Sequence, residues 1–268
     1  MKRFFKVILP LTVLSLLILL LLAFLYGRAR YQLEFIDDRI FFAAAIAILF
    51  LCLYLWMICF QSRIWMKILS LLLVGLASGL LIYAGTKLTS QSTLSLSPDG
   101  RHVFVLKRKG GQTTYLQNYF WLFARPIEHL PYKVDKIGKT VWLADDVAAV
   151  TYSAKKDGKL HVYVGTYGYR QSAISYNYVA NMAAGNWGSA FYQLSIKNDH
   201  ISVNDQSFDD SHAVQFGTSA LVLTTDAAKY VLALPKDFPD SPSAQTKVKL
   251  MIPSLENPKV MTLSYEGK

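Results

Sequence analysis

The chain has 268 residues, of which 53% are hydrophobic, and a formal charge of +10. That apolar share is too high for an average soluble protein, and it is concentrated in residues 1–86. Residues 87–268 contain no cysteine, which excludes a disulfide framework, a thiolate metal site and a cysteine nucleophile there.

The first apolar run carries no charge from Val7 to Tyr26, roughly the 20 residues that a helix rising 1.5 Å per residue needs to cross the hydrocarbon core. Lys2, Arg3 and Lys6 would also suit the basic end of a signal peptide. However, the run is longer than the usual 7–15 residues, and Tyr26-Gly27-Arg28-Ala29-Arg30 makes a poor cleavage site, so an uncleaved anchor is expected. The second run covers residues 40–60 and holds both cysteines, Cys52 and Cys59. They share a helical face but lie about 10 Å apart, too far for a disulfide, and read as small buried hydrophobes.

The third run covers about 67–86, and only Gln61-Ser62-Arg63 and their neighbours separate it from the second, so the two helices form a tight antiparallel hairpin. Gly75 and Gly79 on the third helix, with Ala43 and Ala47 on the second, offer small-residue faces through which the hairpin is expected to pack. Three spans place the amino terminus and residues 87–268 on opposite sides. The basic density before the first helix points to a cytoplasmic amino terminus in the cell membrane and an extracytoplasmic carboxyl-terminal domain. The absence of cysteine and of glycosylation sequons in that domain fits a bacterial envelope.

Residues 87–268 alternate short runs of β-branched and aromatic residues with turn signals. Thr93–Leu96 and His102–Lys107 flank Ser97-Pro98-Asp99-Gly100, and Gly110-Gly111 precedes a strand over 113–123. Further hairpins are predicted around Lys155-Lys156-Asp157-Gly158, Lys197-Asn198-Asp199-His200 and Asp226-Ala227-Ala228-Lys229. Residues 174–184 suggest a short helix. Two late pieces, 248–252 and 260–265, lie among prolines and read as edge strands. The fold class is therefore membrane α plus all-β: three transmembrane helices, then an antiparallel β domain, either a sandwich or a twisted meander.

Ser97-Pro98-Asp99-Gly100-Arg101 with the strand to residue 107, and residues 141–164 with Trp142-Leu143-Ala144-Asp145-Asp146 and Lys156-Asp157-Gly158, resemble blades of bacterial Tol-type β-propeller repeats. The resemblance covers about 60 residues and implies a partial propeller as the alternative fold.

The five histidines (102, 129, 161, 200 and 212) lack metal-binding spacing, so neither a metal site nor a cofactor is expected. Asp209-Asp210-Ser211-His212 contains the residue types of a hydrolytic triad but reads as a solvated loop without a nucleophile elbow. Beyond residue 86 there are 20 basic and 15 acidic residues, and Lys107-Arg108-Lys109 and Lys155-Lys156 with Lys159 read as solvated hairpin tips rather than a nucleic-acid surface. The richest recognition chemistry lies in residues 163–187, where Tyr167, Tyr169, Tyr176, Tyr178 and Trp187 stand among glycines and asparagines and read either as ligand-binding residues or, by plain strand propensity, as an aromatic-rich β core. The expected function is a membrane-anchored binding, sensory or accessory module of the cell envelope, partnered by the lipid bilayer and by another membrane protein or a wall glycan. The alternative is an envelope hydrolase with an Asp/His site.

Overall fold

A computed structural model describes residues 2–60, 63–88, 90–120, 122–167, 178–197, 200–226 and 229–267. The chain divides into two compact units. The first takes Met1–Thr93, Val105–Gly110 and Thr114–Glu128; the second takes Leu94–Phe104, Gly111–Thr113 and His129–Lys268.

The first unit contains α1 (Lys2–Tyr31), α2 (Arg39–Cys59) and α3 (Ile64–Leu88). Among the described residues, three stretches of these helices, Lys6–Tyr31, Arg39–Cys59 and Ile64–Lys87, are long and apolar enough to cross a membrane. Their side chains point outward: Leu9 and Leu72 are 64% and 65% exposed. Such surfaces are costly in water and cost nothing in hydrocarbon. α1 starts earlier than the apolar run alone suggests, which puts Pro10 inside the helix rather than at its first turn.

α2 packs against both α1 and α3. The small-residue face expected between α2 and α3 is not the contact used. Nothing lies within 4 Å of a Cβ built on Gly75 or Gly79, and Ala43 is exposed with Ala47 half-buried. The close approach comes instead at Gly85, where a Cβ would stand 3.3 Å from the Phe42 ring. Gly85 lies about a third of a turn round the helix from Gly79, so the hairpin uses a different face.

An antiparallel arrangement of short strands follows: β1 (Glu34–Phe35), β2 (Gln91–Leu96), β3 (Val103–Lys109), β4 (Gln112–Phe120) and β5 (Phe123–His129), in the order β1-β5-β4-β3-β2. Gly110 and Gly111 have φ of +59° and +84°, the left-handed pair that a two-residue hairpin between β3 and β4 requires. The single strand predicted over 113–123 is two strands, β4 and β5.

Lys107 of β3, expected at a solvated tip, is only 4% exposed. Its ammonium donates to Glu34 Oε2 at 2.8 Å, to Asp38 Oδ1 at 2.6 Å and to the Phe35 carbonyl at 3.0 Å. All three N–H groups are therefore answered. Asp38 also accepts from the Ser90 hydroxyl at 2.8 Å, just before β2, and Ser92 of β2 donates to the Ile36 carbonyl at 2.6 Å, so the α1–α2 loop is fastened at several points. Burial raises the Asp38 pKa, but Lys107 and Ser90 together outweigh it and hold the carboxyl below its ordinary value. Phe35 stacks on Phe24 of α1 at 4.0 Å and lies 5.1 Å from Phe123.

The second unit contains β6 (Val134–Ala144), β7 (Val147–Ala154) and β8 (Leu160–Thr166) as one three-stranded sheet. After α4 (Val179–Met182) come β9 (Gly185–Gly188), β10 (Gln193–Lys197), β11 (His200–Val203), β12 (Gln206–Phe208), β13 (Ala213–Phe216), β14 (Ala220–Thr224), β15 (Lys229–Ala233), β16 (Lys247–Ile252) and β17 (Lys259–Gly267). They form an antiparallel nine-stranded sheet in the order β12-β11-β10-β9-β17-β16-β15-β14-β13. β16 and β17 are thus central, not the edge strands expected from the neighbouring prolines. Those prolines, at 239, 242, 253 and 258, flank the strands and leave their ladders intact.

Alternation along the strands separates two cores. Leu221, Leu223, Leu232 and Leu250 pack with Ile196, Val203 and Phe208 from β10–β12, and the Phe208 ring meets Tyr230 edge-on at 5.9 Å, so the sheet curls until both of its ends share one interior. On the opposite face, Val222, Val231 and Met251 pack with Val147, Ala149 and Val164 of the three-stranded sheet. Of the predicted helix at 174–184, α4 is the described part; residues 174–177 lie outside the described residues.

Gly185 joins α4 to this sheet at φ +135°, and an added Cβ would stand 2.9 Å from the Gly267 carbonyl oxygen. Gly185→Ala is therefore expected to cost about 2 kcal/mol or more, against about 1 kcal/mol for Gly111→Ala, where φ is positive but the space is open. Thermal unfolding of the solubilised chain followed by near-UV circular dichroism compares the two.

Candidate functional site

In the second unit, the hairpin between β7 and β8 and the hairpin between β14 and β15 lie side by side at one end of the strands. Lys159 Nζ reaches Asp226 Oδ1 at 2.9 Å, and the Lys229 ammonium donates to the Leu160 carbonyl oxygen. Between these tips and residues Tyr192, Gln206 and Pro253 opens a cleft of about 850 Å³. Tyr132, His161, His212 and Tyr230 complete its principal lining.

His161 is fixed by rings. Its imidazole stacks on Tyr132 at 4.1 Å and on Tyr152 at 5.5 Å. Its Nε2, like Oε1 of Gln206, is buried without a hydrogen-bond partner among the described residues. Burial lowers the His161 pKa and the charge of Lys229 lowers it further, so the ring is neutral at pH 7. Lys229 is also shifted down, first by burial and then by Lys159. The Tyr152 hydroxyl is pushed up to about 12 by burial and by Tyr132, and burial followed by Tyr192 raises that of Tyr230. The cleft thus presents neutral aromatic and amide hydrogen-bonding groups beside two ammonium groups, Lys159 and Lys229, and two carboxylates, Asp157 and Asp226, of which Asp226 is paired with Lys159.

Of the expected ligand-binding residues, Trp187 is fully buried in the curled sheet and donates from Nε1 to the Ala183 carbonyl at 2.8 Å. Tyr167 is also buried, with its hydroxyl donating to the Val103 carbonyl at 3.0 Å and its ring between His102 and Trp142. Both side chains are core: strand alternation turns Trp187 inward, and Tyr167, just past the end of β8, is held in by its amide bond to the Asp146 carbonyl and its hydroxyl bond to Val103. Tyr178 is 60% exposed, and Tyr169 and Tyr176 lie outside the described residues. At the acidic loop, His212 Nδ1 lies 2.6 Å from Asp209 Oδ1, and the Ser211 hydroxyl donates to that same oxygen at 2.6 Å. The serine donates to the carboxylate, and its 3.4 Å contact with the imidazole falls on Nδ1, the nitrogen that Asp209 already occupies, so the three are not arranged as a relay across the ring. Asn204, at φ +50°, is a turn residue whose Oδ1 accepts from the Gln193 amide at 2.8 Å.

The cleft was not visible in the chain because its two hairpin tips are 67 residues apart. The available signal was that both turns carry an Asp and a Lys. No family model, curated protein or solved structure shows a significant match to the chain.

The His161 pKa is lower in the fold than the ordinary 6.5, so its contribution to stability is complete above about 6.5 and is lost as pH falls through the folded value. Melting temperatures of the solubilised chain between pH 7.5 and 5 should fall more steeply for the wild type than for His161→Gln.

Proposed function

We propose that this chain is a multi-pass membrane-anchored binding module of the cell envelope, with its amino terminus in the cytoplasm, its β region outside, and the His161 cleft as the seat of an acidic wall glycan. The observation that carries the reading is the pair of buried atoms unanswered among the described residues, His161 Nε2 and Gln206 Oε1, in a cleft where Asp226 is paired with Lys159 and the charge of Lys229 acts on the imidazole more strongly than that of the remaining carboxylate, Asp157. A buried polar atom without a partner costs about 1–3 kcal/mol, which a hydroxyl-bearing ligand recovers. The carboxylate or phosphate of such a glycan would meet Lys229, whose ammonium has donors beyond the one spent on Leu160. The exposed edges of Tyr132 and Tyr230 offer ring surface to a sugar. Three outward-facing apolar helices support the anchor, and Lys2, Arg3 and Lys6 support the orientation.

Titrating a uronic-acid oligosaccharide and its neutral counterpart into the solubilised full chain tests this by calorimetry. The acidic sugar should bind, and Lys229→Met should weaken it about tenfold or more, as for loss of a charged hydrogen bond. No binding by the wild type, or equal binding by the variant, overturns the assignment. A reporter fused after Lys268 should be active outside the cytoplasm; activity inside reverses the orientation.

A further inference from the structure

The first unit holds a second cavity, of about 220 Å³, unrelated to the glycan cleft. Its apolar wall is Phe24, Phe35, Phe41 and Phe42, and its rim carries Arg28 and Lys109. Arg28 lies in the last turn of α1, while Phe41 and Phe42 lie in the first turn of α2, so the cavity sits where the two apolar spans end and begin, at Tyr31 and Arg39. In a bilayer that is the depth of the headgroups. The volume is below the roughly 300–1,000 Å³ of pockets that enclose a whole drug-sized ligand, so it suits one polar fragment of a larger molecule.

The charges select that fragment. Glu34 and Asp38 also line the cavity, but both are bonded to the Lys107 ammonium. Arg28 and Lys109 are exposed and form no ion pair among the described residues. Lys107, Arg28 and Lys109 against two carboxylates leave the site with one net positive charge.

We propose that this cavity binds the headgroup phosphate of an anionic glycerophospholipid, with Arg28 and Lys109 on the phosphate, the phenylalanines against the glycerol and the acyl chains along the exposed faces of α1 and α2. The site rests on the reading of these helices as membrane spans and not on the glycan assignment. Arg28 makes the bidentate contact and Lys109 acts as a point charge.

The test uses the full chain, first reconstituted in phosphatidylcholine nanodiscs and then, in detergent, titrated with dihexanoyl phosphatidylglycerol, dihexanoyl phosphatidylcholine and glycerol 3-phosphate. Phosphatidylglycerol should bind about tenfold tighter than phosphatidylcholine, a preference of the size two surface cations produce. Arg28→Gln with Lys109→Gln should abolish that preference, while Arg28→Lys keeps part of it. Both positions are exposed, so the variants should melt like the wild type. Equal affinity for the two lipids, or a preference that survives the double variant, overturns the site. Glycerol 3-phosphate binding as tightly as the lipid would make the ligand a soluble phosphate and overturn the lipid assignment. A chain that does not reconstitute at all overturns the anchor and the site together.

Discussion

An ammonium removed from water must have each N–H answered, and Lys107 meets that condition only if the α1–α2 loop lies across β3. Glu34, Asp38 and the Phe35 carbonyl supply the three acceptors, all from within five residues of that loop. The first unit is organised around this requirement. Once the loop is held, Phe35 is held against Phe24 and Phe123, Asp38 is in reach of Ser90, and α2 begins at a defined place. Coulomb attraction alone would not justify burying the group, because desolvation consumes most of the gain. What the cluster supplies is a single arrangement of helix ends and strands.

In the second unit the equivalent constraint is apolar. β14, β15 and β16 bury side chains on both faces, one set against β6–β8 and the other inside the curl of their own sheet. Strands buried on both faces tolerate little change of register, since a one-residue slip exchanges the two sets. That fixed register brings the β7–β8 and β14–β15 turns together and holds His161 between two tyrosine rings. The cleft is therefore a by-product of packing elsewhere, with its polar atoms left to be satisfied from outside.

Elements with local causes were legible in the sequence. The three apolar helices follow from run length, and hairpins such as Ser97–Gly100, Gly110-Gly111 and Lys155–Gly158 follow from residues that accept positive φ. Partners distant in the chain were not legible. Nothing near Lys107 announces that its acceptors lie some seventy residues earlier, so a basic triplet read as a solvated tip. Tyr167 and Trp187 carry recognition chemistry by type, but whether a ring faces a ligand or a core depends on what the fold packs against it. Likewise, His161 and Lys229 become neighbours only through the packing of two separate hairpins.

The position of β17 has a consequence for how the molecule forms. β9 is complete by Gly188, yet its neighbour on one side is β17, and Tyr265 pairs with Trp187 across on the order of eighty residues. Until that pairing occurs, β9 and β17 each present an open edge, and the sheet exists as two separate ribbons. Such contacts carry a large loop-closure entropy and make folding slow, with the exposed edges available to other chains in the interval. The sheet is therefore closed by the pairing of β17 with β9, the strand pairing that joins two ribbons built from local hairpins.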